Sequence, residues 1–258
     1  MKFRLKAFGI HVAVSAAVLT LTLTILYLGW YHWPGWYLTS VPRVVLVMAG
    51  VDVALGPLLT LVIANPVKPR RELLRDLSII GVCQLLALAY GGTQLWNGRP
   101  LYYAFADDVL QLVQAYDLDD AEVARARAQG APFAPHWYSL PRWVYAPMPQ
   151  DKALQDELKR EAAATGLDLS QVPRVYQPWS AAIPALRAQL KTLDEQTYFA
   201  PSEKADLERK MLAAGLPTDI KNAIPVTGRG RPLLAVFDPA SMSLKAILIA
   251  APYSFKQL

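Results

Sequence analysis

Three long apolar runs open the chain, at Phe8–Trp30, Val41–Ala64 and about Leu73–Trp96. A helix needs ~20 residues to cross a bilayer core, and each run is that long. The pattern therefore predicts three transmembrane helices. The first run is interrupted by His11, Ser15 and scattered Thr. It is too long for the apolar core of a signal peptide. Tyr31-His32-Trp33-Pro34-Gly35-Trp36-Tyr37 follows it in place of a small-residue cleavage site, so we expect it to be uncleaved, with the aromatic cluster as an interface belt. Asn65-Pro66-Val67-Lys68-Pro69-Arg70-Arg71 ends the second helix, and Asn97-Gly98-Arg99-Pro100 closes the third as a turn.

Beyond Gly98 the periods shorten. Leu101–Val113 reads as two strands around an acidic turn, Asp107-Asp108. Asp119-Asp120 caps a helix at Ala121–Gln129. Gly130–Pro149, rich in proline and aromatic residues, reads as an ordered loop across the domain face or an irregular edge strand. Lys152–Ala164 is amphipathic through Leu154, Leu158 and Ala162, and Trp179–Leu193 repeats the pattern through Ile183, Leu186, Leu190 and Leu193. Ser202 is placed to cap a helix ending near Gly215. Leu233–Phe237 and Leu244–Ala250 make a hairpin about Asp238-Pro239-Ala240. The expected fold class is a membrane protein: three N-terminal transmembrane α-helices over 1–97, then an α+β periplasmic domain over 98–258 with terminal β-hairpins.

The second run carries the odd residue. Asp52 sits in its middle, where a carboxylate costs roughly 2.5–3.5 kcal/mol on insertion scales. Asp52, Gly56 and Thr60 recur at helical spacing and share one face, and Pro57 breaks the backbone ladder beside Gly56. Such a stripe wants a protein neighbour, as a contact between helices or as a site for a partner helix or substrate. At 1.5 Å per residue Asp52 lies ~18 Å above Ala64, and Gln84 on the third helix ~12 Å above Asp76. Gln84 is thus placed to donate to Asp52. Thr60, His11 and Ser15 fall toward the same end, where a lone histidine reads as a hydrogen bonder between helices.

Charge sets the topology. The net charge is +5 and only 18% of residues are charged, with mean hydropathy +0.21. Much of the excess flanks the apolar runs: Lys2, Arg4 and Lys6 before the first, then Lys68, Arg70, Arg71 and Arg75 after the second. The positive-inside rule makes both segments cytoplasmic and everything after Trp96 external. This is a topology signal and not a nucleic-acid footprint. The single cysteine, Cys83, permits no intrachain disulfide and no zinc spacing.

Catalytic chemistry finds little support. His11, His32 and His136 lie far apart, and no nucleophile elbow, zinc helix or phosphate loop is present. Asp107-Asp108 and Asp117-Asp119-Asp120 suit turns and caps. Gly228-Arg229-Gly230-Arg231-Pro232 reads as a solvated basic turn. No catalytic, cofactor or metal residue is expected. Phe133, Trp137, Tyr138, Trp143 and Tyr145 are expected either to form an exposed partner surface, since Tyr and Trp are enriched at interface hot spots, or to pack on their own domain.

Asp52-x-x-x-Gly56-Pro57-Leu58-Leu59-Thr60-Leu61, followed by Lys68, Leu74, Asp76-Leu77, Gln84 and Tyr90-Gly91, resembles the TfpX/TfpZ family of type IV pilin accessory proteins. The order of elements is similar along the whole chain, and the membrane motif is its specific part. The resemblance implies a non-enzymatic protein of the bacterial inner membrane, without cofactor. It would assist assembly or dynamics of type IV pili by contact with a cognate major pilin, helix in the membrane and head in the periplasm, and through it with the assembly machinery. Asp52, Gly56, Pro57, Thr60 and Gln84 are the expected helix contacts or pilin-docking residues. Two other classes remain open: a membrane-anchored transferase acting on pilin or envelope glycans, which would need convergent acids in the outer domain, and a sensor. The short cytoplasmic segments hold no output domain for a sensor.

Overall fold

The computed structural model describes residues 1–250. These divide into two compact units.

The first unit comprises Met1–His32 and Ser40–Arg99. It holds three helices long and apolar enough to cross a membrane: α1 (Lys2–Tyr31), α2 (Val41–Ile63) and α3 (Arg70–Asn97). All three fall where the apolar runs place them. α1 and α3 both pack on α2. Close approach rests on small residues: a Cβ on Gly91 would fall 2.6 Å from the Met48 side chain, and one on Gly56 2.1 Å from Gln84 Nε2. Near their C-terminal ends, α1 and α3 are tied by the Tyr31 hydroxyl, which donates to the Leu95 carbonyl at 2.6 Å, and by Trp30 edge-on to Trp96.

The second unit is built on one seven-stranded mixed sheet, in the order β4-β3-β1-β2-β5-β6-β7. Its strands are β1 (Pro100–Ala106), β2 (Val109–Gln114), β3 (Arg142–Tyr145), β4 (Gln177–Pro178), β5 (Ala223–Thr227), β6 (Leu233–Phe237) and β7 (Leu244–Ile249). The two expected hairpins are both present, β1–β2 turning at Asp107 and β6–β7 beyond Asp238. They are halves of one sheet, joined where β5 pairs parallel to β2. Both faces are covered. Tyr103, Phe105, Leu110, Ile224, Leu233 and Ala235 meet α6 (Ile183–Gln189) through Leu186. On the other face, Tyr102, Ala104 and Val144 meet Leu158 of α5 (Lys152–Thr165), and Leu234 and Val236 meet Leu207 and Met211 of α7 (Pro201–Ala213). α4 (Asp120–Ala128) begins as expected, with the Asp119 carboxylate accepting from the Ala121 and Glu122 amides. Ser202 does not cap α7. Ala200 precedes that helix, Pro201 occupies its first position, and Glu203 Oε2 accepts from the Ala200 amide.

One segment departs from the expected division at residue 97. Trp33–Thr39, between α1 and α2 in sequence, belongs to the second unit. It forms a single helical turn, Gly35–Leu38, whose Tyr37 and Leu38 are buried in the core under the sheet. A membrane belt is thus not their place. Their counterpart is the basic turn after β5. Gly230 N–H donates to the Leu38 carbonyl at 2.8 Å. A Cβ on Gly230 would lie 2.4 Å from the Tyr37 carbonyl oxygen, and one on Gly228 2.6 Å from that of Leu38. The turn expected to be solvated is packed against backbone, which explains its glycines.

Candidate functional site

Proline 57 organises the first unit's polar centre. An α-helical register would aim its ring at the carbonyl one turn back. Residues Gly50–Leu55 instead adopt a π-helical turn, and the Gly56 amide reaches back five residues to the Val51 carbonyl. The next donor in that register would be Pro57, which has no N–H. The Asp52 carbonyl is thereby left without a backbone partner. Gln84 supplies it: Nε2 donates to Asp52 O at 2.9 Å. The expected pairing of Asp52 with Gln84 exists, but through the backbone carbonyl and not the carboxyl group.

With the Gln84 nitrogen facing that carbonyl, its Oε1 faces His11 Nε2 at 2.6 Å, and His11 Nδ1 lies 2.6 Å from Thr60 Oγ1. Gln84 donates to the Asp52 carbonyl, so its Oε1 accepts from His11 Nε2–H, and the other ring nitrogen shares a hydrogen bond with the Thr60 hydroxyl. The His11 imidazole therefore joins α1 to α2 and α3 together. Gly56 makes room for it, because any side chain there would displace the Gln84 amide. Gly56, Pro57 and Thr60 are all buried, so the small and polar face does turn inward.

Asp52 itself is 5% exposed, and neither carboxylate oxygen has a hydrogen-bond partner among the described residues. It lines a cavity of about 210 Å³ with His11, Ser15, Gln84 and apolar side chains of α1 and α3. A buried polar group without a partner costs free energy, so this one calls for an explanation.

The five aromatic residues of the second unit separate into two groups. Trp143 and Tyr145 lie on β3, opposite Tyr103 and Phe105 in register, and stack on them at 4.9 and 5.7 Å between centroids. Phe133 packs against the core. These three belong to their own domain. Trp137 and Tyr138 remain outside, 71% and 58% exposed, in edge contact with each other and with Tyr138 stacked on His136.

A buried charge cluster escaped the sequence reading. Glu122 of α4 is fully buried, with Arg174 Nε 3.2 Å and Arg125 3.0 Å from its oxygens. Arg174 also reaches Glu157 and Glu161 of α5, at 2.8 and 2.9 Å. Burial pushes the Glu122 carboxyl above the usual carboxylate range against the pull of both arginines, while the hydrogen bond from Arg174 holds Glu157 below it. The only linear signal was charge in helix flanks. The cluster clamps α4 to α5. Among the described residues, no three His, Cys, Asp or Glu side chains are grouped to hold a metal ion.

Three long apolar helices closed on a polar centre, with a folded α/β unit, define the class: a candidate three-span membrane protein carrying a mixed-sheet domain. Three fimbrial assembly proteins of Dichelobacter nodosus are similar to it. That of serogroup I is 29% identical over 196 residues, 74% of this chain and 73% of its own. That of serogroup E1 is 26% identical over 243 residues, 92% and 91% of the two chains. That of serogroups C1 and C2 is 31% identical over 116 residues, 45% of this chain and 88% of its own. No family model and no solved structure matches the chain. The chain belongs to the fimbrial assembly protein family.

Proposed function

We propose that this protein is a non-enzymatic inner-membrane accessory of type IV pilus biogenesis, of the TfpX/TfpZ kind, acting by contact with its cognate major pilin. The observation that carries the proposal is similarity to a fimbrial assembly protein over nearly the whole of both chains, helices and sheet domain alike. The positive-inside rule puts the N-terminus and the loop before α3 in the cytoplasm and the sheet domain in the periplasm. A pilin awaiting assembly would lay its apolar helix against α1–α3, while its head meets the periplasmic domain. Contacts between membrane helices are worth about 0.6–2 kcal/mol per hydrogen bond, weak enough to release a subunit. A non-enzymatic role is supported by how the outer acids are used: Asp119 caps α4, Asp117 and Asp108 pair with Arg229 and Lys191, and Glu122 is buried against Arg125 and Arg174.

The test is deletion in the native host with counts of surface pili and of membrane pilin. Loss of pili with pilin still present in the membrane, restored by the intact chain, is the expected result. Unchanged piliation would refute the proposal.

A further inference from the structure

The unpartnered Asp52 carboxyl lies at the floor of a groove. α1 and α3 each pack on α2 and are bridged at this level by the His11–Gln84 hydrogen bond. Between them lies the cavity of about 210 Å³, walled by Val14 and Val18 of α1 and by Gly81, Leu85 and Leu88 of α3. Val14, Val18 and Leu85 are exposed, so the cavity opens sideways. Gly81 has nothing within 4 Å of where a Cβ would stand, which leaves the mouth wide.

The polar groups around this floor are not equivalent. Thr60, His11 and Gln84 bond to one another and to the Asp52 backbone, and neither they nor Ser15, which also lines the cavity, hydrogen-bond the Asp52 carboxyl. What the cavity still lacks is a donor for the Asp52 side chain, more than nine-tenths buried and without a partner among the described residues. Its rim is apolar and lies at the middle of three candidate spans, so an occupant must live in the hydrocarbon. Lipid tails carry no donor. A volume of this size admits one side chain and not a whole helix.

We propose that the groove between α1 and α3 receives a single transmembrane helix of a partner, which inserts one hydrogen-bond-donating group, a hydroxyl, amide or ammonium, against Asp52. The small-residue face of α2 then serves as the inner frame of the site and the α1–α3 groove as its entrance. The partner's donor is the group that completes Asp52. Identification of that partner with the pilin rests on the function proposed above.

The test places p-benzoylphenylalanine at Leu85 in the groove, or at Val62 on α2 outside the cavity lining, in the full chain in the native host. Irradiation adducts are resolved by mass and with antibody to pilin. A pilin adduct from Leu85 and not from Val62 is expected. It should fall about three- to thirtyfold in Asp52→Leu, the factor a membrane hydrogen bond supplies. Asp52→Asn keeps an acceptor oxygen and should keep the adduct. Gly81→Leu fills the mouth without touching Asp52 and should lose the adduct at normal protein level, which separates groove occupancy from misfolding. Adducts to phospholipid alone, or to a second copy of this chain, overturn the proposal. So does a pilin adduct indifferent to both Asp52→Leu and Gly81→Leu. If deletion of the gene abolishes piliation while Leu85 labels only lipid, the groove is refuted and the pilus role stands. If deletion leaves piliation intact, the pilus role itself fails.

Discussion

At residue scale, proline 57 turns an intrahelical defect into an interhelical bond. Pro57 visibly interrupts the ladder, and Gln84 was legible as a partner at Asp52's depth. What sequence spacing does not encode is the choice of a π turn over a kink, and that choice decides which carbonyl is orphaned. It also moved Gln84 from the Asp52 carboxyl to its backbone. Gly56→Ala should push the Gln84 amide aside, break its bonds to His11 and Asp52, and cost about 1–2 kcal/mol. Gly92→Ala, with open space at its Cβ, should be close to neutral. Thermal unfolding of the purified chain in detergent measures both.

Glu122 poses the other residue-scale question. Its folded carboxyl is raised above its unfolded value by burial, so the folded state binds this proton more readily. Stability from this group therefore grows as pH falls and is lost as pH rises through the folded value. Comparison with Glu122→Gln isolates it: the stability difference should shift toward wild type as pH falls from neutral through the raised folded value. Glu157, held low by Arg174, acts in the opposite sense and loses its contribution as pH falls through its folded value. Arg174→Met leaves Glu122 buried with Arg125 alone and should destabilise by about 3–5 kcal/mol, read by urea unfolding of the full chain.

At element scale, the long signals were readable and the short ones were not. α1–α3, α4, α5 and the two hairpins follow from period and capping. β3 was half visible: Arg142-Trp143-Val144-Tyr145 alternates, but the prolines around it favoured a loop reading. In the structure the alternation places Val144 on one face and the stacked Trp143 and Tyr145 on the other. β5 carries Pro225 inside the sheet, where proline argues against a strand. It is tolerated because β2 pairs only with Val226 and Thr227, so Pro225 lies past that ladder. Trp33–Thr39 was illegible as part of the sheet domain, since nothing local ties it to a turn almost two hundred residues later. Gly230→Ala tests that tie. Its Cβ would meet backbone, which cannot rotate away. The variant should be destabilised by about 1–3 kcal/mol and expose Trp33–Thr39 to protease. Intact protection would deny the contact its role.

At the scale of the whole molecule, recognition of one pilin among several needs features that differ between pilins. An apolar helix offers few and a globular head many, so under the proposed pilin role specificity would fall to the sheet domain and holding to the helices. Of the aromatic surface expected from sequence, Trp137 and Tyr138 are the exposed candidates to read the head. The orientation has its own check: a reporter active only in the periplasm should work when fused after Leu258 and fail between Pro66 and Arg71, and the reverse would overturn it.

Specificity itself is measured by exchange with a relative serving another pilin. Because Trp33–Thr39 is built into the sheet domain, it must be transferred together with 100–258. Surface pili made from each pilin are then counted in the native host. The chimera should support the relative's pilin and lose its own. Preference that stays with α1–α3 in a stable chimera would contradict the proposed division of roles.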